Sequence, residues 1–214
     1  MSNILITSAG RRVELVESFK IESKNLDEKL KVFCTDSSPE LSPACKISDH
    51  SFRAPKANSK EYIIFLKQIC VDNFISLIIP TIDTELLILS KYRKEFFKIG
   101  INIVISDTSL VQLCRNKNYT FDLLHQIDID MPEIYDVKNL TYPCFVKPYD
   151  GSSSEGASAL LNESMLTKNI LDNPKNIFME FVPESYDEYT VDIYFDKSGN
   201  LKSFVPRLRI ETRA

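Results

Sequence analysis

With 214 residues, 43% of them hydrophobic, and a net charge of −4, the chain has the composition of a globular protein with room for one large domain or two small ones. Acids and bases are scattered along it, which excludes the basic stripe of a nucleic-acid binder. No stretch approaches the roughly 18 uninterrupted apolar residues of a membrane helix, and the opening MSNILITSAGRR lacks the basic start and long apolar run of a signal peptide. Cys34, Cys45, Cys70, Cys114 and Cys144 fit neither a C-x-x-C metal spacing nor a compact disulfide framework, so they read as reduced thiols of a cytoplasmic protein.

The first half alternates β-rich apolar runs with helical patterns, the signature of a parallel α/β sheet. NILITSA reads as a buried strand, followed by a helix with Val13, Leu15, Val16 and Phe19 at helical spacing. KVFCTDSS is a second strand and SDHSFRAP a short third one. SKEYIIFLKQICVDN predicts an amphipathic helix with Ser59 as N-cap. ISLIIPT and INIVIS are two further strands, separated by the helix DTELLILSKYRKEFFKIG with Gly100 as its C-terminal glycine. From Asp107 the pattern changes, and a domain boundary is expected there. DTSLVQLCRNKNYTFDLLHQI predicts one helix capped by Asp107 or Thr108, CFVKPY and NIFMEFV predict strands, and about 162–171 predicts a helix between them. EYTVDIYFD, KSGN and LKSFVPRLRIE predict a hairpin turning at Gly199.

The chemistry concentrates in CFVKPYDGSSSEGAS. Gly151 to Ser158 has the spacing of a P-loop, but Ala157 stands where the lysine belongs. Lys147 precedes the loop on a strand, where its ammonium projects to one face, while Gly151 and Gly156 let backbone amides approach a polyphosphate. Downstream, FMEFVPESYDEYTVD places Glu180 and Glu188 on two strands around Pro183. Strand-end backbone suits an adenine edge and a carboxylate suits two ribose hydroxyls, although exposed glutamates at strand ends are commonly plain surface.

Together these segments resemble the central ATP-binding part of the ATP-grasp superfamily, in the branch of the carbamoyl-phosphate synthase large subunit and related carboxylate–amine ligases. NILITSAGRR, IIPTIDTELLILS and LCRNKNYTFDLL resemble the same branch, so the likeness runs along the whole chain. The resemblance implies a Rossmann-like α/β pre-ATP-grasp domain over 1–107 and an α+β ATP-grasp domain over 108–214, incomplete at its C-terminus. Within the latter it implies a flap subdomain at about 140–183 and the start of a second grasp subdomain at 184–214. It gives ATP contacts to Lys117, Lys147, Gly151, Ser152, Ser153, Ser154, Gly156, Glu180, Phe181, Val182 and Glu188. Glu180 with the backbone near Val182 would be the adenine hinge and Glu188 the ribose acid. For the substrate it points to Gly10, Arg11, Arg12, Asp83, Glu85, Arg209 and Arg213, the last two with the least support.

The implied reaction is ATP-dependent ligation through an acylphosphate, with ATP and a small-molecule carboxylate as partners and Mg²⁺ as cofactor. Catalytic residues and magnesium ligands are expected downstream of residue 214, which makes the chain an N-terminal fragment, inactive alone. No metal site is expected within it: His50 and His125 are far apart in sequence and from paired acids. Neither nucleic acid nor membrane is an expected partner, and apolar faces left by an absent grasp half would favour a homodimer. Two other readings stand beside this one, a nucleotide-binding or regulatory module without chemistry and a Rossmann NAD(P) domain. The second has only Gly10 of the G-x-G-x-x-G pattern, with Asp36 ending the second strand where a ribose acid would lie. Asp83 and Glu85 also fit an ordinary helix first turn.

Overall fold

The computed structural model describes residues 3–26, 29–152, 154–183, 185–196 and 198–210. The chain forms two compact units, Met1–Arg115 and Asn116–Ala214. In chain order the first unit holds β1 (Asn3–Ile6), α1 (Val13–Asn25), β2 (Val32–Asp36), α2 (Pro43–Ile47), β3 (His50–Arg53) and α3 (Glu61–Asp72). It continues with β4 (Ile75–Ile79), α4 (Asp83–Lys98), β5 (Asn102–Ile103) and α5 (Thr108–Arg115). The five strands are parallel in the order β3-β2-β1-β4-β5, with chain direction across the sheet reversing between β1 and β4.

The period-two geometry of a strand splits its residues between two cores. Leu5 of β1 enters one with Ile78, Leu66, Leu89 and Phe96, while its neighbours Ile4 and Ile6 enter the other with Val16, Val32 and Ala44. Apolar side chains on both faces explain why these strands read as continuous hydrophobic runs. α4 ends as its glycine predicts: Gly100 adopts φ 78°, its N–H donates to Phe97 O at 3.0 Å, and Ile101 N–H donates to Phe96 O at 3.0 Å, a Schellman closure.

The second unit holds α6 (Lys117–Gln126), β6 (Ile134–Tyr135), β7 (Cys144–Pro148), β8 (Ser158–Leu160), α7 (Lys168–Leu171) and β9 (Asn176–Glu180), then β10 (Tyr189–Phe195) and β11 (Leu201–Leu208). β6-β9-β7-β8 form one antiparallel sheet and β10-β11 a separate hairpin. Cys144, Val146, Leu160 and Phe178 make the core on one face of the first sheet.

Three local expectations are corrected. The long helix across 107–126 is two, because Asn116 leaves helical geometry and its side chain accepts from Asn118 N–H at 3.0 Å, ending α5 and capping α6. The stretch at 162–171 is a 3-10 turn, Glu163–Met165, and the short α7, because Leu166 breaks the path and Thr167 starts anew as a cap. α3 begins after Lys60, and Ser59 lies outside it.

Candidate functional site

The site in the second unit follows from the pleat of β7. Cys144 and Val146 face the core, so Phe145 and Lys147 share the opposite face. There Lys147 stands across from Ile177 of β9, which is buried, with its ammonium 6.0 Å from the Phe145 ring centroid. These apolar neighbours desolvate the ammonium, and the positive charge of Lys117 adds to the effect, so the pKa of Lys147 is held below the ordinary lysine range. Among the described residues no carboxylate lies within ion-pair distance of it.

Beyond Pro148 the chain turns into the glycine loop. Its base is fastened on both sides. The backbone N–H of Lys117, the first residue of α6, donates to Tyr149 O at 2.9 Å, and its ammonium donates to Gly151 O at 2.7 Å and Tyr149 O at 3.4 Å. Tyr149 N–H donates to Lys175 O at 2.8 Å, and the Lys175 ammonium pairs with Asp150 at 2.6 Å. Among the described residues the tip makes local turns, Glu155 N–H to Ser152 O and Ala157 N–H to Ser154 O. Ser152, Ser154, Glu155 and Gly156 are exposed, and Ser153 lies outside the described residues. The loop thus has a fastened base and an exposed outer part among the described residues.

The other sequence candidates occupy distinct places. Glu180 ends β9 with its carboxylate accepting Glu133 N–H at 3.3 Å, while its own N–H donates to Glu133 O at 2.8 Å. Val182 is exposed and Phe181 half-buried. Glu188 and Arg209 face each other at the open end of the hairpin in an ion pair of 3.1 Å, and Arg209 N–H donates to Glu188 O at 2.8 Å. Arg213 lies outside the described residues.

In the first unit Glu85 is fully buried at the third position of α4. Its carboxylate accepts from Ser8 Oγ (3.0 Å), Tyr62 Oη (2.6 Å), Thr81 N–H (2.8 Å) and Ile82 N–H (3.3 Å). That is the helix-cap role, tied as well to the turn after β1. Asp83 presents its carbonyl to Arg115. Gly10 N–H donates to one oxygen of Asp36 at 3.0 Å, and Ser38 N–H donates to the other at 2.9 Å. Arg12 donates to Thr81 O at 2.6 Å, and Arg11 is exposed. Lys175, Asp150 and Arg115 carried no recognisable spacing in sequence; only the fold brings them to these positions.

Residues 4–104 match the family model described as PylC-like, N-terminal domain. No curated protein matches the sequence. Among solved structures, an L-amino acid ligase from Bacillus licheniformis is similar with a TM-score of 0.67 at 18% identity, over 94% of this chain and 48% of that one. A biotin carboxylase–β-γ-ATP complex from Campylobacter jejuni gives 0.68 at 18%, over 94% and 49%. A D-alanine–D-alanine ligase from Bacillus anthracis gives 0.51 at 15%, over 100% and 73%. The chain thus spans about half the length of the first two. The α/β fold expected from the sequence, a parallel five-stranded unit followed by an antiparallel one, resembles the N-terminal part of these ligase structures. Among the described residues no three His, Cys, Asp or Glu side chains gather into a metal-binding group, and no helix is long and apolar enough to cross a membrane.

Proposed function

We propose that the chain is the ATP-binding portion of a cytoplasmic ATP-grasp carboxylate–amine ligase, most similar in pattern to the carbamoyl-phosphate synthase branch. The observation that carries this reading is Lys147: a desolvated ammonium with no carboxylate partner among the described residues, on the strand that leads into the glycine loop, with a second lysine at the base of that loop. A group kept charged in apolar surroundings and beside a like charge is destabilised until an anion meets it, and a polyphosphate supplies that anion. The flap contributes backbone amides at its exposed tip. Ligases among the similar solved structures support the same direction.

In the reaction so assigned, a substrate carboxylate attacks the γ-phosphorus of ATP, ADP leaves, and an amine or ammonia then displaces phosphate from the acylphosphate. Lys147 would bind the phosphates and offset charge as the phosphoryl group moves. Lys117, now seated on loop carbonyls, would fix the flap base, and the closed flap would keep water from the acylphosphate. Magnesium would supply further neutralisation of phosphate charge and needs carboxylate ligands, and the described residues hold no group of three acids, histidines or cysteines that would seat it. An NAD(P) site is disfavoured by Asp36, both of whose oxygens already take backbone N–H groups.

The test is calorimetric titration with ATP, ADP, adenosine and NAD, repeated on Lys147→Ala. The reading requires adenine-nucleotide binding that weakens much more for ATP than for adenosine in the variant. Equal losses for both would remove Lys147 from the phosphates, and NAD binding without ATP binding would overturn the ligase assignment.

A further inference from the structure

The carboxyl ends of β1, β2 and β4 open into a cleft of about 670 Å³ whose lining residues all belong to the first unit. It sits where the strand order reverses, the place where open α/β sheets take ligands. Its charge is unlike that of the chain. Arg12, Lys56 and Arg115 line it against a single acid, Asp36, whose two oxygens are already engaged by backbone N–H groups. In a protein with excess negative charge, arginines readily find carboxylates: Arg53, Arg93, Arg207 and Arg209 each pair with one. Arg12, Lys56 and Arg115 have no such partner among the described residues.

The two cleft arginines are nonetheless held in place. Arg12 donates through one terminal nitrogen to Thr81 O, and Arg115 donates through one to Asp83 O. Both guanidiniums are therefore fastened to the same turn between β4 and α4 by neutral carbonyls, which orient them without cancelling their charge. Each has five N–H donors and spends one on this fastening, leaving donors for an oxyanion in the forked geometry guanidinium prefers. Part of the remaining wall, from Ala54, Pro55, Ala57 and Ile82, is small and apolar, and the rest is neutral and mostly polar.

We infer that this cleft is a binding site for a small dianion, an organic molecule bearing two carboxylates or one phosphomonoester, with Arg12, Arg115 and Lys56 as its anion-binding residues. Three cations against one acid leave a net charge of two for the ligand to meet. The ligase reading gives such a molecule a role, as the acid to be ligated; the inference rests on that reading for the role and not for the binding.

The whole chain is titrated calorimetrically without nucleotide against glutarate, glycerol phosphate, and glutaramate, in which one carboxylate has become an amide. One of the two dianions should bind one to one, and whichever is tighter names the source of the charge. Glutaramate should bind roughly tenfold more weakly or worse, as should the preferred dianion to Arg115→Gln. Lys56→Gln, at an exposed side chain whose loss leaves folding intact, should weaken the dianion in the same direction, with ATP affinity unchanged in both variants. Absence of binding by both dianions, equal binding of glutaramate, or wild-type affinity in Lys56→Gln overturns the inference. Dianion binding without ATP binding would instead sink the ligase reading and leave this site standing.

Discussion

Lys147 and Lys117 bring two like charges to one loop: α6 and β7 carry the two ammonium groups there, one seated on carbonyls and the other without a carboxylate partner among the described residues. Burial, and then this repulsion, keep Lys147 below the ordinary lysine range, and a bound phosphate would raise it again. Between the lowered and the ordinary lysine pKa, free protein lacks a proton that the complex holds. ATP binding in that alkaline window should therefore take up a proton, and affinity should fall as pH rises through it. Calorimetry in buffers of different ionisation enthalpy measures the uptake, and Lys147→Ala should abolish it. The same shift acts on folding with its own sign: the unfolded lysine keeps its proton to higher pH, so the penalty from Lys147 is full below the folded pKa and fades as pH rises to the ordinary value.

Glu188 and Arg209 form a largely exposed ion pair, and such pairs contribute about 0–1 kcal/mol. Glu188→Gln should thus leave thermal stability almost unchanged. If Glu188 also holds ribose, the variant should lose affinity for ATP but not for an analogue lacking both ribose hydroxyls. Equal loss for both nucleotides would return Glu188 to a purely local role with Arg209.

Glu85 is the opposite case, buried and accepting four hydrogen bonds. Glu85→Ala would strand the Tyr62 hydroxyl and the N–H of Thr81 inside the first unit, at a cost of about 3 kcal/mol or more. Urea denaturation should show an unfolding free energy lower by that amount, whereas a near-neutral result would mean that water replaces the carboxylate.

Much of the first unit was legible because its signals are local. Period-two and continuous apolar runs mark strands, and Gly100 marks the end of a helix. Two of the misses share one cause, a polar cap inside a helical pattern. Asn116 and Thr167 each restart the chain, and the apolar spacing on either side hides the break. At the site, the face that carries Lys147 could be read from strand alternation. Lys117 could not be placed on Tyr149 O and Gly151 O, since carbonyl acceptors have no sequence signature. Arg115 met the same limit, and the compact division at Arg115/Asn116 falls beyond the boundary expected at Asp107 because α5 stays with the first unit.

Thiol accessibility offers a check on both cores. Cys34, Cys45 and Cys70 are buried in the first unit and Cys144 in the second, while Cys114 on α5 is exposed. Burial pushes the Cys70 thiol up to about 12, which slows it further. A chromogenic disulfide reagent should modify a single thiol quickly in native protein, lost in Cys114→Ser, and the rest only on denaturation. A second fast thiol would mean that one core is looser than described.

Gly156 combines φ 73° with a near approach to Pro148, whose Cγ would lie 3.1 Å from an added Cβ. Gly156→Ala should strain the loop by about 1 kcal/mol and weaken ATP more than adenosine, again by titration. Gly151 leans on the same ring from the other end of the loop, with Pro148 Cβ 3.3 Å from its own added Cβ. One proline therefore serves as the template for both ends of the flap, directly beside Lys147. Tolerance to substitution should divide accordingly: residues 152 and 155 can change in size, residue 154 is limited by its left-handed φ of 58°, and 148, 151 and 156 can change only as a set.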